Sequence, residues 1–259
     1  MIPKTIHYCW FGRSPKPQLA KKCIKSWKKY CPDYEIIEWN EDNFDITAAP
    51  LYVRQAYEAK KWAFVTDYVR LWAMVNYGGI YMDTDVEVIK PLDGFLQHEA
   101  FSGFEDEENI PTGIMACEKG FALFREFMEH YDKTEFLNRD GSNNLVTNVK
   151  TITEHLRRYG LEQNNSFQVI CGFALYPNDV FCPRNWDTGR LKTTENTVTI
   201  HWFNGSWFDE DAQKRKIDRW EKTKRADFWD QIAHTPNRVI RCILGKRNYE
   251  KVKKLLKRG

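Results

Sequence analysis

A chain of 259 residues that is 42% hydrophobic and 15% aromatic, with 39 basic and 36 acidic side chains for a net charge of +3, has the apolar surface and low net charge that folding requires. A disordered or collagen-like protein is thereby excluded. No run of eighteen apolar residues occurs, and the N-terminal MIPKTIHYCWFG has neither a long apolar stretch nor a small-residue cleavage site, so no membrane span and no signal peptide are predicted and a cytoplasmic protein is expected.

In chain order, the β-rich run Thr5 to Trp10 (TIHYCW) reads as a strand ended by Gly12. Pro17 to Tyr30 carries Leu19, Cys23, Trp27 and Tyr30 at helical spacing, with lysines on its other face. Tyr34 to Trp39 (YEIIEW) is a second strand, followed by the polar turn NEDNFD. From Trp62 to Tyr77 twelve of sixteen residues are apolar or aromatic, which predicts a helix buried on nearly all sides, ended by Gly78 and Gly79. Ile80 to Met82 starts a third strand, and the alternation of strands and helices predicts an α/β fold with a mainly parallel sheet. Further on, helices are expected at Phe121 to Tyr131, Val146 to Tyr159 and Ile217 to Ile232, and strands at Val169 to Tyr176 and Val198 to Phe203.

Charge is unevenly spread. Residues 236–259 hold nine Lys or Arg against the single acid Glu250, a net +8 that leaves the preceding 235 residues at −5. This is not the composition of a nucleic-acid-binding chain. Val239, Ile240, Ile243, Leu244, Val252, Leu255 and Leu256 recur at helical spacing among those basic residues, so a basic amphipathic tail able to lie on an anionic membrane surface is expected after a domain spanning 1–235. The seven cysteines, Cys9, Cys23, Cys31, Cys117, Cys171, Cys182 and Cys242, include no CxxC pair, so buried thiols are expected rather than disulfides or a zinc site.

The strongest local signal is GGIYMDTDVEV. Asp83 and Asp85, two apart at the end of an apolar strand, are expected on one side of the C-terminal sheet edge, where open α/β sheets bind ligands and where two carboxylates suit a hard divalent cation. The helix before them holds Asp67 and Arg70 three apart. In so apolar a helix the pair is either a mutual ion pair or part of a polar site, and burial favours the site.

The string of Ala63, Asp67, Arg70, Gly78, Gly79, Asp83 and Asp85 resembles the DXD-type sugar-nucleotide glycosyltransferases of family 32, which include capsular and surface polysaccharide enzymes and share their core with the large clostridial glucosylating toxins. IHYCWFG near the start and TIHWFNGSW near residue 200 extend the resemblance. It implies a GT-A type, Rossmann-like fold and transfer of a sugar, with retention, from a UDP-sugar to a saccharide or lipid-linked saccharide acceptor. Carried over residue by residue, it implies that Trp10 stacks on uracil, that Asp67 and Arg70 hold the donor sugar and diphosphate, and that Asp83 reaches sugar or ribose hydroxyls. Asp85 and His201 would then ligate Mn2+ or Mg2+, and Ser206 and Trp207 would close over the diphosphate. The family pattern has a glycine and a proline near Asn143 to Thr147, where this chain has NNLVT.

Each residue also has an ordinary explanation: Trp10 as one of ten tryptophans in core or surface, His201 as a satisfied core histidine, His7 as structural. Two other functional classes use related features. A haloacid-dehalogenase-type phosphatase also follows an apolar strand with D-x-D, but it needs Thr or Val where Glu87 stands and later lysine and acidic motifs that are missing here. A non-catalytic peripheral membrane protein would use the basic tail alone.

Overall fold

A computed structural model of the chain describes residues 1–111, 113–205, 210–234 and 248. They divide between two compact units, one of 1–185 with 191–205 and the other of 186–190 with 210–234. In chain order the elements are β1 (Thr5–Cys9), α1 (Gln18–Tyr30), β2 (Glu35–Trp39), α2 (Leu51–Glu58), α3 (Trp62–Tyr77), β3 (Gly79–Met82), β4 (Val86–Val88), β5 (Ala100–Gly103), β6 (Ile114–Cys117), α4 (Ala122–Asp132), α5 (Asn148–Arg157), β7 (Gln168–Ile170), β8 (Phe173–Tyr176), α6 (Asn178–Phe181), β9 (Thr199–His201) and α7 (Glu210–His234).

The α/β class is the one expected. Seven strands form one sheet in the order β2-β1-β3-β6-β5-β8-β7, and β4 pairs with β9 in a second, two-stranded sheet. The strands read from the first ninety residues pair in parallel, β1 with β2 and β1 with β3. A further parallel pair joins β5 to β8, while β6 runs antiparallel to both β3 and β5. Val169 to Tyr176, read as one strand, is an antiparallel hairpin of β7 and β8. Cys171 and Gly172 turn the chain between them with φ of 48° and 81°, left-handed values that a continuous strand does not contain.

Period-two alternation along the strands divides the core into two layers. Ile6 and Tyr8 of β1 and Ile80 and Met82 of β3 pack with Trp27 of α1, whereas Cys9 and Tyr81 face α2, α3 and α4 on the other side. Helix α1 is seated on β4 by hydrogen bonds from Trp27 Nε1 to Val86 O (2.8 Å) and from Val88 N to Ser26 Oγ (2.9 Å). Because β2 and β3 flank β1 on opposite sides, the chain reverses direction there, and the C-terminal ends of β1 and β3 open onto a topological switch point.

Helix α3 has the bounds read from the sequence. Gly78 (φ 68°) ends it, and a Cβ there would stand 2.6 Å from Lys119 N. His7, fully buried, accepts from Trp39 Nε1 at Nδ1 (3.1 Å) and donates to Gly78 O from Nε2 (2.9 Å), which makes it the structural histidine expected. Burial lowers its pKa to about 4 and keeps it neutral. The described cysteines are free thiols; Cys9, Cys23, Cys31, Cys117 and Cys182 are buried and Cys171 is exposed.

In the second unit α7 is charged on all sides, and it starts seven residues before the predicted Ile217. Trp220 Nε1 donates to Trp186 O (2.9 Å) and Arg190 Nε donates to Asp227 (2.9 Å), so the 186–190 segment lies on this helix. No helix among the described residues is long and apolar enough to cross a membrane. The expected amphipathic tail at 236–259 lies outside the described residues.

Candidate active site

Trp10 follows β1 directly, its N–H held by Trp39 O (2.8 Å). The ring is half-buried, its Nε1 donates to Ser14 O (2.7 Å), and Lys16 Nζ lies 5.7 Å from its centroid. It is neither a core tryptophan nor a free surface one. The ring packs at the edge of the core layer that holds Tyr8 and Trp27, just past the C-terminal end of β1.

The D-x-D segment follows β3, but not as strand. Residues 83–85 form a tight turn closed by Val86 N to Asp83 O (2.9 Å), so the turn rather than strand alternation brings the two carboxylates to the same side. Asp83 N is pinned to Gly113 O (2.8 Å) and its Oδ1 accepts from Tyr81 Oη (2.8 Å). Asp85 Oδ2 accepts from Asn204 N (2.7 Å), and Asp85 O from Trp202 N (2.9 Å).

Both members of the α3 pair are buried, as their helix required. Arg70 Nη2 lies 3.2 Å from Asp67 Oδ1 and 3.4 Å from Asp83 Oδ1, so one guanidinium joins the helix to the D-x-D turn. Its Nε donates to Thr66 O (3.2 Å), and its plane sits 4.7 Å from the Tyr81 ring centroid. The simple mutual pair is therefore a three-way bridge. Burial pushes the Asp67 carboxyl up to about 7, against the pull of Arg70. For Arg70 burial opposes the charge, yet Asp83, Tyr81 and Asp67 together hold the guanidinium above its ordinary value.

His201 arrives from the far end of the chain. Antiparallel pairing of β4 with β9 sets it opposite Val86, one residue from Asp85. Its Nε2 lies 3.3 Å from Asp85 Oδ1, its ring stacks on Phe203 at 4.1 Å, and Nδ1 is buried with no hydrogen-bond partner. Trp202 Nε1 donates to Glu87 Oε2 (2.9 Å) and ties β9 to β4. Burial opposes a charge on His201, but Asp85 outweighs it and raises the imidazole well above its ordinary value; the same pairing holds Asp85 low.

Ligand atoms of Asp83, Asp85 and His201 lie within 4.8 Å of one another. Two hard carboxylates, an imidazole with an unpartnered nitrogen and a turn that fixes both acids fit a divalent cation such as Mn2+ or Mg2+. Asp83, expected only to reach hydroxyls, joins this cluster. Ser206 and Trp207 lie outside the described residues.

Sequence reasoning passed over three neighbours. Glu105, just after β5, is pushed up to about 7 by burial, with His201 opposing and Asp106 and Asp83 reinforcing the rise. An acidic run, EDEE at 105–108, was its visible mark. Asn148 donates from Nδ2 to Asp67 O (3.2 Å) across 81 residues of sequence, with no local signal at all. Gly113 lies under the His201 ring, where an added Cβ would stand 2.8 Å from Nδ1 and Cε1. Gly113→Ala is accordingly expected to tilt the imidazole and weaken Mn2+ binding by about 10- to 100-fold, the range for residues that orient a metal ligand. Calorimetric Mn2+ titration checks this, and unchanged affinity would remove His201 from the cation site.

Residues 17–102, which include α1 through β3 and the D-x-D turn, match the family described as glycosyltransferase sugar-binding region containing DXD motif. The chain is 28% identical over 139 residues to inositol phosphoceramide mannosyltransferase 3 of Schizosaccharomyces pombe, covering 52% of this chain and 38% of that protein. It is 23% identical over 226 residues to mannosyl phosphorylinositol ceramide synthase CSH1 of Saccharomyces cerevisiae, covering 76% and 57%. The chain thus spans little more than half the length of these relatives, or less. Among solved structures, the PaToxG glycosyltransferase superposes with a TM-score of 0.47 at 18% identity, covering 61% of this chain and 69% of that one. The α3 pair and the D-x-D turn, joined in space by Arg70, both lie within the stretch that is similar to the glycosyltransferase sugar-binding region containing DXD motif.

Proposed function

We propose that this protein is a divalent-cation-dependent glycosyltransferase that moves a sugar, with retention, from a nucleoside diphosphate sugar to a hydroxyl of a saccharide or a lipid-linked polyol. One observation carries the proposal: Asp67 and Arg70 on α3, Asp83 and Asp85 after β3, and His201 on β9 come together at the C-terminal end of β3 although they come from positions 67 to 201. An ordinary core has no reason to gather a bridging arginine and three potential cation ligands in one place.

Asp83, Asp85 and His201 would hold the cation, which when bound neutralises diphosphate charge as a Lewis acid. Arg70, fixed between two carboxylates, keeps a positive charge beside the D-x-D turn without reorganising. Asp67 and Asp83 offer carboxylate oxygens to donor sugar hydroxyls, and Trp10 offers a face to the base. The printed names of the relatives, a mannosyltransferase and a synthase acting on inositol phosphoceramides, support an acceptor that is a polyol or sugar on a lipid rather than a bacterial surface polysaccharide. The +8 charge of residues 236–259 supports work at an anionic membrane surface.

The test is turnover of a panel of UDP- and GDP-sugars, GDP-mannose included, with Mn2+, Mg2+ or EDTA. Cation-dependent release of a nucleoside diphosphate supports the proposal, and its absence with every donor overturns it. We take UDP as the nucleotide because of Trp10. Trp10→Ala is expected to weaken UDP binding by about 1–3 kcal/mol, the range for base stacking on an aromatic, and Trp10→Phe to recover much of that. Unchanged UDP affinity in the alanine variant, or tighter GDP than UDP binding in the wild type, would end the uracil assignment.

A further inference from the structure

Helix α5 begins at Asn148, and that residue points at α3. Its Nδ2 donates to the main-chain carbonyl of Asp67 (3.2 Å), and its amide and backbone N–H favour the ionised form of the Asp67 carboxyl against burial. Thr147 caps the helix, its Oγ1 accepting from Lys150 N (3.4 Å), so the positive end of a ten-residue helix is aimed at the same carboxylate.

Stability does not account for an asparagine there. Asn148 is 2% exposed, and its Oδ1 is buried without a hydrogen-bond partner. A buried amide with half of its hydrogen-bonding capacity unmet is less favourable than an apolar side chain of the same shape. The half that is used goes wholly to Asp67.

We propose that Asn148 is a positioning residue for Asp67, holding the α3 main chain at that residue so that its carboxylate is placed to meet the donor sugar. The proposal rests on the glycosyltransferase reading above. Arg70 on α3 draws the Asp67 carboxylate from one side, and Asn148 supplies neutral donors from the other. The remaining titratable groups that face Asp67 are Asp83 after β3, Tyr52 on α2, Tyr131 on α4 and Cys9 on β1. Burial holds both tyrosines and the thiol in their neutral forms, so none of them replaces Asn148 as a source of negative charge control.

The experiment compares wild type, Asn148→Ala, Asn148→Ser and Asn148→Asp in the full chain, with saturating Mn2+ and the best donor of the panel. In Asn148→Ala, kcat is expected to fall by up to about 10²-fold, the cost of a misplaced contact at the reacting centre, while UDP affinity stays unchanged. Loss of the amide donors raises the Asp67 pKa, so the carboxylate is protonated over a wider range and the acid limb of the rate profile moves to higher pH. A shift of about half a unit to one unit is expected, larger in Asn148→Asp, where a second carboxylate faces the first. Asn148→Ser keeps a hydroxyl donor and should lie between wild type and alanine. The melting temperature of the alanine variant is expected to hold or rise.

A second measurement does not depend on turnover. Carboxyl carbon NMR of Asp-labelled protein follows the titration of Asp67 itself, which Asn148→Ala should move upward. An unmoved Asp67 titration, or a loss of kcat that only tracks a loss of melting temperature at an unchanged pH profile, overturns the positioning role. A wild type that turns over no donor while Asp67 still shifts in the variant overturns the glycosyltransferase reading and upholds the contact.

Discussion

Replacing Asp85 by Asn is expected to lower cation-dependent turnover of the sugar nucleotide by at least about 10³-fold, with the fold intact. A cation supplies several kcal/mol of charge stabilisation to a departing diphosphate, and each 1.4 kcal/mol or so is a factor of ten in rate. Asp85 is the acid that links both halves of the cluster, one oxygen 3.3 Å from His201 Nε2 and the other accepting from Asn204 N (2.7 Å). Asparagine matches the shape and keeps an acceptor for Asn204 N–H, so folding loses little. What goes is the charge. Turnover against Mn2+ concentration, with EDTA as the blank, checks the expectation alongside a melting curve. Full activity in EDTA, or wild-type Mn2+ dependence in the variant, would show that the D-x-D turn does not hold the cation.

Arg70→Ala should be damaging in two separable ways. The guanidinium is buried between Asp67 (3.2 Å) and Asp83 (3.4 Å), and its removal leaves two carboxylates without their shared cation. Breaking a buried pair by deleting one partner costs about 3–5 kcal/mol. Asp67, already pushed up to about 7, then takes up a proton more readily, so part of the stability loss should appear as pH rises through that region and ionised Asp67 becomes costly. Arg70→Lys keeps the charge but presents a single ammonium where the guanidinium reaches Thr66 O, Asp67 and Asp83 at once. It should recover most of the stability and little of the turnover. Urea unfolding at pH 6 and 8 with parallel donor hydrolysis separates the two effects. Wild-type stability and turnover in Arg70→Ala would show that the bridge supports neither the fold nor the reaction.

Whatever depends on neighbours along the chain was legible beforehand. The apolar run Trp62–Tyr77 with two glycines behind it set α3 to the residue, and the alternation of short β-rich runs with helical spacing set β1, α1, β2 and the α/β class. Asp67, Arg70, Asp83 and Asp85 stood out because acids and an arginine inside apolar segments need a reason. Contacts between distant segments were beyond the reach of local pattern, and only the family resemblance put His201 beside Asp85 in advance. His201 meets Asp85 only because β9 pairs with β4, and Asn148 meets Asp67 only because α5 packs beside α3. Their partners lie 116 and 81 residues away, and no local propensity encodes such pairings; they follow from which apolar faces close against one another. The antiparallel β6 and the β7–β8 hairpin belong to the same class, since strand direction is settled by the sheet position a segment occupies rather than by its own residues. Sequence alone thus singled out the buried acids and the arginine, and tertiary packing decided which side chains stand beside them.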